Sequence, residues 1–161
     1  MRSSTSIHAA HLRPMTHFDA RQADIDLLNA FLCRERSARE AYGVLLEASS
    51  DEQIRRALAR LRNSHQERIN ELEGRIRALG GIPRAQSSLW RTLLRAREQS
   101  AGRLNKGTVI FTLEDYSSRI LRAYRRSLTD LSPESRKFIE RKILPESQIV
   151  HQSVISLQKA L

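Results

Sequence analysis

SSDEQIRRALARLRNSHQERINELEGRIRALGGIP, residues 49–83, decides the fold. Ser49 and Glu52 stand three apart at its start, the spacing at which two side chains satisfy the free N–H groups of a helix N-terminus. Leu79-Gly80-Gly81-Ile82-Pro83 closes it with a glycine C-cap and a proline that cannot extend the helix. Between these ends Ile54, Leu58, Leu61, Ile69, Leu72, Ile76 and Leu79 recur at steps of three and four, with one gap. The pattern predicts a helix over 51–79, about 43 Å long at ~1.5 Å per residue. His65 fills the gap in the apolar stripe, so a titratable ring faces whatever this helix packs against.

The rest of the chain has the same texture. It has 161 residues, with six Gly, four Pro and an aromatic fraction of 5%, which suits one all-α domain with a sizeable core. A single cysteine, Cys33, excludes an internal disulfide and any Cys-rich metal site, and it fits a reducing compartment. No apolar run reaches the ~18 residues of a membrane span, and the start of the chain has no signal-peptide core. A cytoplasmic protein is the expectation. The net charge of +10 favours anionic partners, yet the basic residues, mostly Arg, are spread along the chain as on a solvated helix surface.

Residues 1–18 read as a flexible basic tail, and 19–161 as the folded unit. A first helix is expected over 19–48, with Leu28, Leu32, Tyr42 and Leu46 inward and Phe31 and Ala38 beside them. Glu35 and Arg39 fall on that same line, four apart with acid before base, in register to pair. After 83 comes a long connection in which Leu89, Trp90, Leu93 and Leu94 predict a short helix near 87–101. A third helix is expected over 108–130, with Ile110, Leu113, Ser117, Ile120, Leu121, Tyr124 and Leu128 inward and Glu114 at the edge. Ser132-Pro133-Glu134 then opens a fourth over 132–159, as N-cap, first-turn proline and dipole-favouring acid. Its stripe is read as Ile139, Ile143, Val150, Val154, Leu157 and Leu161, with Glu146 inside it and Pro145 kinking the rod.

The first and third connections are short and the second is long; if that crossover runs the length of the bundle, helices two and three lie parallel. This order resembles the ferritin-like, rubrerythrin-like four-helix bundles with a long crossover, and most closely an uncharacterised bacterial branch of them, a domain of unknown function. The resemblance rests on Ala38-Arg39-Glu40-Ala41-Tyr42, on Glu71-Leu72 with Leu79-Gly80-Gly81-Ile82-Pro83, and on Ala123-Tyr124-Arg125-Arg126-Ser127-Leu128, and it covers roughly 20–160. It implies a bundle whose metal-binding members hold a di-iron centre with Glu and Glu-x-x-His ligands. On that implication the metal ligands would be Glu35, His65, Glu114, Glu146 and His151, for iron or another divalent metal. The sequence departs from the motif: Arg62 stands three before His65, Gln148 three before His151, and Arg39 brings a cation.

A metal-free polar core of Glu35, Arg39, His65, Tyr124 and Glu146 is therefore the favoured expectation, with no cofactor and no catalytic residue. The protein then has a structural or interaction role, and a degenerate metal site. Arg39→Ala is expected on this reading to cost about 3–5 kcal/mol. Arg-rich helix faces, Arg55, Arg56 and Arg60 on the second helix and Arg119, Arg122, Arg125 and Arg126 on the third, are the expected surfaces for self-association, a protein partner or non-specific nucleic acid. No phosphate-binding glycine loop and no nucleophile motif is present.

Overall fold

The computed structural model describes residues 17–85 and 106–159. The described residues outside short connections are helical, and none of them is in a strand: α1 (His17–Ala48), α2 (Glu52–Ala78), α3 (Lys106–Ser127), α4 (Pro133–Phe138) and α5 (Leu144–Lys159). A 3-10 turn (Leu128–Asp130) follows α3, and a π-helical turn (Ile139–Ile143) joins α4 to α5, so that the last three pieces run as one rod. Of the tail expected over 1–18, residues 1–16 lie outside the described residues, as does the short helix expected near Trp90, whereas His17 and Phe18 already belong to α1.

The cap at the start of α2 differs from the capping box. Asp51, not Ser49, is the N-cap, and its Oδ1 accepts from Gln53 N at 3.0 Å and Ile54 N at 3.1 Å. Glu52 thereby becomes the first helical residue, where its charge suits the helix dipole. The other end is a Schellman motif. Gly80 N–H donates to the Arg77 carbonyl and Gly81 N–H to the Ile76 carbonyl, with Gly80 at φ +77°, a conformation that a side chain resists. Gly81 is held for a different reason: a Cβ there would come within 2.7 Å of Ile25 Cγ2. Asn29 pins the chain beyond, donating to the Ile82 carbonyl and accepting from Arg84 N.

Side-chain pairs give the helix directions. From one end of α1 to the other, Arg21 meets Leu79, Arg36 meets Glu73, Arg39 meets Gln66, and Leu46 meets Arg55, so α1 and α2 are antiparallel. Asp24 bonds Ser132, Phe31 lies against Tyr124, and the Arg34 carbonyl accepts from Tyr116, so α1 and α3 are antiparallel too. It follows that α2 and α3 are parallel. Arg75 of α2 reaches Ser135 at the start of α4, and Ser117 of α3 reaches His151 of α5, which closes the ring of four rods. Leu28, Leu32, Leu58, Leu72, Ile76, Leu113, Ile139 and Val154 fill the centre. Burying each such side chain is worth about 1.5–3 kcal/mol, which is why the stripes and not local propensity hold the helices.

Pro145 does not break the last rod. Leu144 N–H donates to the Ile139 carbonyl, five residues back, and the wider π turn accommodates the proline ring that follows it. Past the π turn, ordinary α-helical rotation of about 100° per residue carries the inward line from Ile143 through Ser147 to Val150, all buried, and leaves Glu146 beside it, exposed.

Candidate functional site

A polar cluster sits at the centre of the bundle, where three helices supply its members: Glu35 from α1, Ser64, His65 and Arg68 from α2, and Tyr124 from α3. Glu35 is 0% exposed, and His65, Arg68 and Tyr124 are 1%. His65 Nδ1 lies 2.6 Å from Glu35 Oε2, and Tyr124 Oη donates to Glu35 Oε1 at 2.6 Å. Arg68 Nε is 3.1 Å from Glu35 Oε2, at ion-pair distance, although its N–H is not aligned as a hydrogen bond. Arg68 Nη1 donates to Ser64 Oγ at 2.8 Å, which ties the guanidinium to its own helix.

These contacts fix the protonation states. Burial alone pushes the Glu35 carboxyl up, but the Arg68 guanidinium and His65 outweigh it and hold the group down at about 2. An ionised carboxylate only accepts, whereas the Arg68 guanidinium, with Nη2 2.7 Å from the same nitrogen, only donates; we assign the Nδ1 proton to the shorter contact, the one with the carboxylate. Burial lowers the affinity of His65 for a second proton, and Arg68, with Nη2 2.7 Å from Nδ1, works in the same sense. The ring is therefore neutral at pH 7, with a bare Nε2 that has no partner among the described residues. Burial raises the Tyr124 phenol well above its ordinary value, with Glu35 adding to the effect, and the Tyr42 phenol rises by burial as well. Tyr42 stacks against His65 with ring centroids 4.9 Å apart, and Phe31 against Tyr124 at 4.7 Å. The cluster is thus walled by aromatic rings.

The structure brings Glu35, His65 and Tyr124 together and leaves two members of the expected network outside. Arg39 is half-buried and donates from Nη1 to Gln66 Oε1 at 2.6 Å instead of reaching Glu35. Glu146 is exposed, because Ser147 lies nearer the line from Ile143 to Val150 and takes the inward position. Arg68 takes the place given to Arg39. Its signal was in the spacing, since Leu61, His65, Arg68 and Leu72 step by four, three and four.

The five expected metal ligands do not converge. His151 is half-buried and engaged with Ser117 Oγ at 3.0 Å, and Glu114 is half-buried at the edge of α3. Among the described residues no group of three His, Cys, Asp or Glu side chains is placed to hold a metal ion. Electrostatics points the same way: the Arg68 cation contacts both Glu35 and His65, the pair a metal would need, so these residues do not fit a divalent metal. Compared with known proteins, the chain matches no family model, no curated protein and no solved structure. Among the described residues, no helix is long and apolar enough to cross a membrane.

Proposed function

We propose that the chain is a ferritin-like four-helix bundle without catalytic activity of its own, in which a closed ionic core takes the place of a metal centre. The parallel course of α2 and α3 supports the likeness, since a long crossover between them is the mark of that topology. The observation that carries the functional reading is Arg68 Nε at 3.1 Å from Glu35 Oε2, both side chains buried. A guanidinium supplies the positive charge that balances the carboxylate, and it leaves no open position for a substrate or for oxygen. Such a core sets the register of three helices against one another, because no other alignment pairs every charge. The role is structural or in interaction, in the reducing cytoplasm that the single half-buried Cys33 suits.

Elemental analysis of the pure full-length protein tests this, as isolated and after incubation with iron(II), manganese(II) and zinc(II) followed by desalting. The expected result is no stoichiometric metal. Two metal ions per chain, lost on His65→Ala, would overturn the proposal and restore the di-metal alternative.

A further inference from the structure

The arginines of α2 and those of α3 are spent differently. Arg55 donates to the Leu46 carbonyl at 2.7 Å and the Ser49 carbonyl at 3.2 Å, closing the end of α1, and Arg56 pairs with Glu52 at 3.0 Å. On α3, Arg119 is neutralised by Asp115 at 2.8 Å, but Arg122 and Arg125 have no ion pair among the described residues. Both are exposed and three residues apart, so their side chains neighbour each other on one face. Like charges at that spacing destabilise a helix unless an anion lies between them.

We propose that these two arginines, with His151, form a site for the phosphate group of a small anion, in the cleft between α3 and α5. The cleft has a volume of about 340 Å³ and no carboxylate in its lining. Gln148 and Gln152, four apart on α5, line it together with Ser118 of α3, so the residues beside the arginines are polar and uncharged. Arg122 spends only Nε internally, on the Ser118 carbonyl at 3.4 Å, so both of its η nitrogens remain for a ligand. Two guanidinium forks match the oxygens of a phosphate better than any other surface cation would.

His151 is held in place by a chain of bonds. The Ser117 hydroxyl donates to the Glu114 carbonyl at 3.0 Å, and a carbonyl can only accept. Ser117 Oγ therefore accepts from His151 Nδ1–H at 3.0 Å, which fixes the ring and commits only one of its nitrogens. The cleft is at the small end of ligand-pocket volumes, about 300–1,000 Å³, and larger than a lone phosphate needs. Its ligand class is a phosphate monoester or a pyrophosphate, with room for the group that carries it. The site stands apart from the ionic core and does not depend on the reading of that core.

The test is calorimetric titration of the full chain with inorganic phosphate, pyrophosphate and ribose 5-phosphate, and separately with a single-stranded DNA 20-mer. The expected result is saturable binding of at least one small phosphate at one site per chain. The double variant R122Q/R125Q should weaken it at least about tenfold, as loss of charge-assisted bonds requires. The control R141Q/K142Q, also on exposed residues, should change it by less than about twofold. Helical circular dichroism checks that both variants fold. No saturable binding of any small phosphate, or equal weakening by the two variants, would overturn the site in favour of diffuse surface charge. DNA binding that small phosphates do not displace, falling steeply with salt, would overturn it in favour of a nucleic-acid surface.

Discussion

Replacing Arg68 with methionine removes the cation from the ionic core while keeping most of the side-chain volume. Glu35, 0% exposed, then retains only His65 Nδ1–H and Tyr124 Oη as donors. Breaking a buried pair from one side typically costs about 3–5 kcal/mol, because the remaining charge stays desolvated. The Glu35 carboxyl gives an independent magnitude. Held near 2 rather than its ordinary 4.5, it contributes about 3 kcal/mol at neutral pH, much of which comes from Arg68. The two routes agree, and together they correspond to a fall in Tm of about 6–20 °C for a domain of this size.

The pH dependence of that loss is the sharper signature. In the native protein His65 is harder to protonate than in the unfolded chain. The unfolded state therefore binds the extra proton first, and stability falls as pH drops through about 6.5. Burial is the larger cause of that shift and Arg68 a smaller one in the same sense, so without Arg68 the folded pKa of the ring rises from its native value and the loss of stability on the acid side shrinks. Arg68→Met should thus lie furthest below the native protein at pH 8 and closer to it at pH 6, by urea denaturation at both. A loss below about 1 kcal/mol at pH 8, or a deficit independent of pH, would refute the account of the core.

Three other substitutions separate the parts of the account. Arg39→Ala should cost about 1 kcal/mol by thermal denaturation, the value of one half-buried hydrogen bond to Gln66, and well short of the 3–5 that pairing with Glu35 would imply. Gly80→Ala should cost about 1–2 kcal/mol, because an L side chain resists the φ of +77° in the C-cap of α2; urea midpoints report it. Asp24 is 2% exposed and accepts from Ser132 N at 2.9 Å and Ser132 Oγ at 2.5 Å, so Asp24→Ala should destabilise by about 1–3 kcal/mol, and hydrogen exchange should rise at the start of α4. The unsubstituted protein should also lose stability in acid, progressively from about pH 5 to 2, as Glu35 takes up its proton.

The helices were legible because their ends carry local chemistry. The glycine pair after Leu79 and the Ser-Pro-Glu run at 132–134 act within one turn, and the cap of Ser132, whose Oγ accepts from Ser135 N, stands where the sequence placed it. The start of α2 was legible only to within a few residues, since Ser49 and Asp51 both make good caps and tertiary context chose the aspartate. Two features were hidden for physical reasons. Glu146 and Ser147 flank the same inward line between Ile143 and Val150, and which of the two is buried follows from the fit to neighbouring helices rather than from any short motif. Arg68 was hidden by its residue type: an arginine in a chain with +10 net charge reads as surface, although its register between His65 and Leu72 placed it inward. Asp24 was missed likewise, because its partner Ser132 lies 108 residues away.

The central claim, that a guanidinium closes the core where a metal would bind, is tested most directly at the His65 ring. Nitrogen-15 NMR of the histidine side chains reports the tautomer and any ligand at Nε2. The account predicts a neutral ring protonated on Nδ1, with shifts that do not change when zinc(II) is added to the full-length protein in excess. A ring protonated on Nε2, or an Nε2 resonance displaced by stoichiometric zinc, would contradict it.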